Sequence, residues 1–137
     1  MRCLQTVPGR ILYFMTKTKL LIVDDDNNIR RCLELLFSRD YDVYLGADGL
    51  EGYKLWKENS IDIILTDLAM PHMTGEELCL KIREHDTKAK IFAVSGHHDL
   101  LNESSEVNIG FNDFINKPVN FEDLKTLVKN AEEALYS

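Results

Sequence analysis

The chain alternates between short apolar runs and longer stretches in which apolar residues recur every three or four positions. These runs predict β-strands at residues 20–23, 61–66, 90–95 and 112–116. Residues 41–45 alternate between apolar and polar and predict a further, more exposed strand. The longer stretches predict amphipathic helices, and they lie at residues 28–37, 50–58, 75–85, 99–109 and 121–135. Five strand–helix units in a row predict an α/β fold, in which a parallel sheet carries helices on both faces through right-handed crossovers.

Polar residues at the expected helix starts support these bounds. Asp26 or Asn27 is a candidate N-cap for the first helix, and Asn120 is one for the last. Thr74 followed three positions later by Glu77 has the spacing of a capping box, which places the start of the third helix.

Residues 1–14 differ in pattern from the rest of the chain. They include most of the apolar run 11–15, which is too short for the core of a signal peptide and has no cleavage site after it. Residues 15–19 have the character of a natural start just before the first strand. We expect residues 1–14 to be an N-terminal extension or a mis-assigned start, with an added helix or arm as the alternative. Residues 15–137 are predicted to form one domain.

Composition narrows the class of protein. Of the 137 residues, 45% are hydrophobic and 28% are charged, which is typical of a soluble globular domain. The 16 basic and 23 acidic residues give a net charge of −7, which argues against direct binding of nucleic acid. No apolar run approaches the roughly 20 residues that span a bilayer, so we expect no membrane segment.

The three cysteines, Cys3, Cys32 and Cys79, are odd in number and far apart. They indicate neither a disulfide framework nor a paired metal site. Cys32 and Cys79 fall on helical patterns and are predicted to be small core residues. This usage favours a reducing cytoplasm.

Chemically useful side chains collect at the ends of four predicted strands. These are Asp24 and Asp25, Asp67, Ser95, and Lys117. Because ligands of open α/β sheets bind at the carboxyl ends of the strands, we expect these groups to meet. Clustered carboxylates need a compensating cation, and Mg²⁺ prefers oxygen ligands. The set can hold a divalent cation and a phosphoryl group against Asp67.

A carboxylate in such a site can act as a nucleophile on phosphorus and form an acyl phosphate. Lys117 would supply a positive charge to the phosphoryl oxygens, and Ser95 a hydrogen bond. The protein need do little beyond positioning and charge stabilisation, as is usual in phosphoryl transfer.

Four segments resemble the receiver domains of two-component response regulators, and in particular the chemotaxis-regulator type. They are residues 21–26, 67–75, 93–96 and 116–118, which read LIVDDD, DLAMPHMTG, AVSG and NKP. They occur in order at the spacing of strand–helix units, and the resemblance covers residues 19–136. It implies a single doubly wound, five-stranded parallel sheet of (βα)5, flavodoxin-like type with strand order 2-1-3-4-5.

The resemblance also implies roles for the residues that match. Asp67 is the expected phosphoacceptor. Asp24, Asp25, Asp67 and the backbone carbonyl of Ala69 are the expected ligands of Mg²⁺ or Mn²⁺.

The remaining roles concern the switch. Ser95 is the expected switch hydroxyl, Lys117 the cation that meets the phosphoryl group, and Phe114 the aromatic switch residue. The Lys117–Pro118 bond is expected to be cis.

Some positions depart from the commonest pattern of that family. Phe114 stands where Tyr is frequent and offers no hydroxyl, and Asp26 stands where Glu is usual. Ala69 and His97 occupy the two variable positions that tune the lifetime of the phosphoryl group in the family.

The resemblance implies a phosphorylation-dependent switch that catalyses, at most, its own phosphorylation and dephosphorylation. A sensor histidine kinase or phosphotransfer protein would supply the phosphoryl group. The face formed by the fourth predicted helix, the fifth strand and the last helix would then control an unidentified protein target. We expect a cytoplasmic monomer or weak dimer.

Two alternatives come from other classes. An aspartyl-phosphate phosphatase or phosphotransferase would usually carry a second Asp where this chain has Ala69, so catalytic turnover is disfavoured. A degenerate receiver that serves only as a docking module is disfavoured by the intact acidic residues, Ser95 and Lys117.

Ala69 cannot orient an attacking water, so this position should not accelerate loss of the phosphoryl group. We expect Ala69→Asn to shorten the lifetime of the acyl phosphate, since an amide can hold a water. The decay of radiolabel from the isolated phosphoprotein measures this directly. Slower decay in the variant would contradict the interpretation.

Overall fold

The computed structural model of the chain describes residues 4–7, 10–13, 17–96 and 109–136. Strands β1 (Leu4–Val7) and β2 (Arg10–Tyr13) pair antiparallel in a two-stranded sheet of their own, with Leu4 opposite Tyr13. These described parts of residues 1–14 are therefore strands and not a helix. Their place outside the domain stays a prediction.

The main sheet is parallel, as predicted. Its strands are β3 (Lys19–Val23), β4 (Asp42–Gly46), β5 (Ile63–Thr66), β6 (Lys90–Ser95) and β7 (Asp113–Asn116). They lie in the order β4-β3-β5-β6-β7, which is 2-1-3-4-5 counted from β3, and this confirms the predicted topology. Order reverses between β3 and β5, where a crevice forms at the carboxyl ends of the strands.

Within the described ranges, four helices connect and follow these strands. They are α1 (Asn27–Phe37), α2 (Gly49–Glu58), α3 (Gly75–Arg83) and α4 (Phe121–Leu135). Asp26, Thr74 and Asn120 are N-caps whose side chains accept backbone N–H groups, as predicted. The predicted helix 99–109 lies, apart from its last residue, outside the described residues. None of the described helices is long and apolar enough to cross a membrane.

The three central strands, β3, β5 and β6, are buried on both faces, which explains their nearly continuous apolar runs. The edge strands β4 and β7 are only partly buried. Leu20, Ile22 and Leu65 point to the layer that holds α1 and α4. Leu21 and Ile64, which alternate with them, point to the layer that holds α3. The ends of β3 and β5 are therefore held from both sides.

The cysteine prediction was half right. Cys79 is buried against the sheet, but Cys32 is exposed. The face of α1 that meets the core carries Ile29, Leu33 and Phe37. Cys32 directly precedes Leu33 and so lies about 100° round the helix, because an α-helix has 3.6 residues per turn.

Two leucines of α1 offer a matched test of this packing. Leu33 is 4% exposed, whereas Leu35 is 80% exposed. We expect Leu33→Ala to lower the free energy of unfolding by about 2–5 kcal/mol and Leu35→Ala to change it by less than about 0.5 kcal/mol. Helix propensity changes equally in both variants, so equilibrium denaturation isolates the burial. Similar losses in the two variants would show that α1 packs in another orientation.

Candidate functional site

Asp24 and Asp67 leave the sheet side by side. Asp24 follows β3, and its N–H donates to Gly46 O at 3.1 Å. Asp67 follows β5, and its N–H donates to Val23 O at 2.8 Å. These two bonds extend the ladder of the sheet by one residue past the strand ends, so the two side chains enter the same crevice.

Three carboxylates meet in that crevice. One oxygen from each of Asp24, Asp25 and Asp67 can be chosen so that all lie within 4.8 Å of one another. Asp24 is 3% exposed and Asp67 is 9% exposed, whereas Asp25 is open to solvent. The structure therefore brings together the three carboxylates that the sequence predicted.

Local hydrogen bonds orient the two buried carboxylates. Asp24 Oδ1 accepts the N–H of Asp26 at 2.9 Å, and Asp67 Oδ1 accepts the N–H of Leu68 at 2.8 Å. Arg30 donates from Nη1 to the backbone carbonyl of Asp24 at 2.6 Å. Each buried side chain thus has one oxygen held by the backbone and a second, Oδ2, directed toward a common neighbour.

That neighbour is Lys117. Its Nζ lies 3.0 Å from Asp24 Oδ2 and 3.5 Å from Asp67 Oδ2. Lys117 comes directly after β7, and its N–H donates to Ser95 O at 3.0 Å. The Lys117–Pro118 bond is cis, the isomer that the resemblance implied. One ammonium group therefore bridges the two buried carboxylates.

The charges in this crevice do not cancel. Burial raises the pKa of Asp67, and although the charge of Lys117 opposes this, repulsion from Asp24 adds to it and the pKa stays raised. Burial alone would lower the pKa of Lys117, but its hydrogen bond to Asp24 and the charges of both aspartates outweigh this and raise it. The surroundings therefore favour the charged form of Lys117 and disfavour the ionised form of Asp67.

The residues present fit a divalent cation. Three carboxylates and one ammonium leave two uncompensated negative charges when all are ionised. Every ligand atom they offer is an oxygen, which suits Mg²⁺ or Mn²⁺. A divalent cation would lower the repulsion that the single ammonium group leaves.

The remaining predicted residues lie around this cluster. Ser95 is fully buried at the end of β6, the strand between β5 and β7. Ala69 is exposed in the loop after Asp67. Phe114 is half-buried on β7, with its ring centroid 5.4 Å from that of Phe111. His97 lies outside the described residues.

Sequence reasoning missed the role of Gly75. Its N–H donates to Leu68 O at 2.9 Å, so the loop after Asp67 closes back on the start of α3. A Cβ at this position would lie 2.1 Å from Asp67 O, which leaves room for glycine alone. The signal was available, since Gly75 directly follows the capping residue Thr74 at the first position of the helix.

With this geometry in view, comparison with known proteins identifies the class. The sequence pattern of the response regulator receiver domain matches residues 20–129. The chain belongs to this family, as the motifs predicted, and is a receiver domain of a two-component response regulator.

Particular relatives agree with this assignment. The chain is 34% identical over 113 residues to response regulator ArlR of Staphylococcus saprophyticus. The aligned residues cover 82% of this chain and 51% of that protein. It is 30% identical over 120 residues to histidine kinase P4 of Formosa agariphila, which covers 85% of this chain and 9% of that protein. The chain spans about half the length of the curated response regulators that it matches.

Solved structures show the same fold. A CheY-like receiver domain protein from Methanospirillum hungatei superposes with a TM-score of 0.83 at 29% identity, over 88% of this chain and 98% of that one. A receiver domain protein from Clostridium thermocellum gives 0.78 at 28% identity, over 88% and 99% of the two chains.

The raised pKa of Asp67 predicts a pH-dependent effect on stability. A carboxyl group whose pKa is higher in the folded state than in the unfolded state stabilises the fold while it is protonated. That contribution is lost as pH rises from the ordinary carboxyl pKa through the raised one. With divalent cations removed, Asp67→Asn should therefore be more stable than the wild type at pH 7, and this advantage should shrink in acid.

Denaturant unfolding at several pH values measures this difference. Asp40→Asn is the matched control, because Asp40 is an exposed carboxylate outside the crevice. It should show no comparable gain. An Asp67→Asn variant less stable than the wild type at pH 7 would mean that Asp67 is stabilised as a carboxylate.

Proposed function

We propose that this receiver domain accepts a phosphoryl group on Asp67 and thereby switches its contact with a protein partner. The donor is the phosphohistidine of a sensor kinase or a phosphotransfer protein. The observation that carries the proposal is the ammonium of Lys117 between Asp24 and Asp67, at 3.0 Å and 3.5 Å, with Asp25 completing the carboxylate cluster.

Mg²⁺ or Mn²⁺ is the proposed cofactor. Asp24, Asp25, Asp67 and the backbone carbonyl of Ala69 would hold it. When bound, the ion neutralises negative charge that gathers as the anionic phosphoryl group approaches the carboxylates. The support for it is the oxygen-only ligand set and the two uncompensated negative charges.

In the proposed transfer an oxygen of Asp67 forms a bond to phosphorus. The bond between phosphorus and the donor imidazole nitrogen breaks, and its electron pair returns to that nitrogen. Lys117 places a positive charge beside the incoming phosphoryl oxygens, and Ser95 offers them a hydroxyl donor. Positioning and electrostatic stabilisation supply the catalysis, so the protein needs no further chemical group.

The proposed switch runs from Ser95 to Phe114. Ser95 ends β6, and Phe114 lies on the paired strand β7, opposite Ala93. A phosphoryl group adds a charge of about −1.5 to −2, and movement of Ser95 toward it would be followed by inward rotation of Phe114. Phe114 is half-buried, with its ring against that of Phe111.

The output face would consist of β7, α4 and the helix predicted at 99–109, which lies, apart from its last residue, outside the described residues. To move such a switch from 1:99 to 99:1, the phosphoryl group must favour one state by about 5.5 kcal/mol. The partner bound by this face is a protein, in keeping with the net charge of −7.

A switch is better supported than an enzyme. Phosphatases and phosphotransferases that work through an aspartyl phosphate usually carry a second Asp, two residues after the nucleophile, as a general acid. The position two residues after Asp67 is Ala69, whose methyl side chain has no acidic proton to donate. We expect Asp67 to hold the phosphoryl group for a time and not to pass through rapid cycles.

Radiolabelled acetyl phosphate with Mg²⁺ tests the function. We expect the wild type to take up at most one phosphoryl group per chain, Asp67→Asn to take up none, and Asp40→Asn to match the wild type. Label on Asp67→Asn would refute the site.

The same assay separates the other classes. Continuous consumption of acetyl phosphate, many equivalents per chain, would identify an enzyme. Absence of both label and turnover would identify a docking module.

A further inference from the structure

A side-chain contact joins the Asp67 loop (residues 67–74) to the start of α2. His72 Nδ1 lies 2.8 Å from Asp48 Oδ2. The two residues are 24 positions apart in sequence, and Asp48 is the N-cap of α2. The contact therefore ties the loop that follows the phosphoacceptor to a helix that supplies none of the proposed ligands.

The two partners differ in how firmly they are held. Asp48 Oδ1 accepts the N–H of Glu51 at 2.9 Å, which leaves Oδ2 for His72. The Glu51 N–H, and after it the hydrogen bond from His72, lower the pKa of Asp48, so its carboxylate is ionised. The side chain of Asp48 is 19% exposed and that of His72 is 68% exposed. Asp48 is thus the fixed anchor, and His72 is the group that docks on it.

The backbone at His72 is already set for this contact. Its φ is +67°, which makes it the one non-glycine residue with positive φ among the residues that the structure describes. This conformation is uncommon for residues other than glycine, and His, Asn and Asp are the ones that adopt it most readily. It turns the chain sharply after Pro71, and the imidazole is directed to Asp48.

A second contact lies directly beside the first. The N–H of Gly49 donates to Met73 O at 3.2 Å. A Cβ at Gly49 would lie 2.2 Å from that same oxygen, so the loop rests on the first turn of α2 without a gap. His72 and Met73 thus dock on Asp48 and Gly49 as adjacent pairs.

These contacts complete the attachment of the Asp67 loop. At the base of the loop, the N–H of Gly75 donates a hydrogen bond to Leu68 O. At the far end, Met73 O accepts a hydrogen bond from the N–H of Gly49, at the start of α2. Met70 and Met73 are buried in the core beneath the loop. Ala69 lies in the exposed part between these attachments. Ala69 is three residues before His72 on this loop, and Asp67 is held on its other side by the hydrogen bond from its N–H to Val23 O.

We propose that His72 and Asp48 are a positioning pair, which holds the Asp67 loop in the geometry that binds Mg²⁺ and accepts a phosphoryl group. Neither residue touches the reacting atoms, so the pair acts through the loop. The inference rests on the proposed function of Asp67. It adds a determinant of metal affinity and phosphorylation rate that lies on another element of the fold.

Two variants break the contact between His72 and Asp48 while preserving the local backbone conformation. His72→Gly removes the imidazole and retains the freedom to adopt positive φ. Asp48→Ser retains a good N-cap for α2, but its side chain is too short to reach His72. The conservative variant is His72→Asn, because Asn tolerates positive φ and its amide nitrogen occupies the place of Nδ1, bonded to Cγ.

Three quantities are measured for the wild type and each variant. They are the dissociation constant for Mg²⁺ by calorimetry, the initial rate of labelling by acetyl phosphate at fixed Mg²⁺, and the thermal unfolding midpoint. We expect His72→Gly and Asp48→Ser each to weaken Mg²⁺ binding and slow labelling by about threefold to tenfold, a range common for coupled neighbours. The unfolding midpoints should stay close to that of the wild type. His72→Asn should bind Mg²⁺ and take up label as the wild type does.

The double variant decides whether the two residues act together. If they are a pair, the double variant is no worse than the poorer single variant. The proposal would be overturned if the losses of the two single variants multiplied in the double variant, or if the single variants behaved like the wild type. It would also be overturned if His72→Asn lost Mg²⁺ affinity and labelling rate as His72→Gly does.

The wild type separates this proposal from the broader one. If the wild type takes up label and the variants behave like it, the positioning pair is refuted and the proposed phosphoryl transfer is not. Wild type that binds Mg²⁺ and takes no label refutes phosphoryl transfer, and the Mg²⁺ affinities of the variants still decide the pair. Wild type that does neither refutes both.

Discussion

The ammonium group of Lys117 lies between two carboxylates that would otherwise repel each other, and much of the structure serves to keep those three groups in place. Asp24 and Asp67 come together because β3 and β5 are parallel neighbours whose ladder continues one residue beyond each strand. Lys117 reaches them from β7, two strands farther along the sheet. One cation is too little charge for three carboxylates. The crevice therefore has an excess of negative charge, which a divalent cation would neutralise.

Such a cluster needs a stiff support, since like charges push the strand ends apart. The support is the core on both sides of the sheet, with α1 and α4 on one face and α3 on the other. Where the chain leaves the sheet, close backbone contacts take over that role. Gly75 and Gly49 allow the loop after Asp67 to touch the first turns of α3 and α2, where any larger residue would displace it. The phosphoacceptor is thus fixed from the strand before it and from the loop after it.

Much of this fold was predictable because its signals are local. The strands were located to within about two residues. The central ones, β3, β5 and β6, are buried on both faces and so have apolar runs. The N-caps Asp26, Thr74 and Asn120 followed from side chains that bond within their own first turn. The exposed Cys32 was predicted wrongly, because apolar spacing alone does not define the edge of a helix face. The strands at Leu4–Val7 and Arg10–Tyr13 were missed, since that segment carries no alternation strong enough to predict them.

The sequence by itself determined which chemical groups stand at the strand ends, and hence the family. Two acids, a third acid, a hydroxyl and a lysine follow successive apolar runs, and parallel strands must bring such positions to one edge. Only the tertiary structure decided how these groups are arranged: that Lys117 bridges Asp24 and Asp67, that Gly75 lies against the phosphoacceptor, and that His72 docks on Asp48. Those contacts join segments far apart in the chain. They depend on how the helices pack against the sheet, and no periodic pattern in the sequence records them.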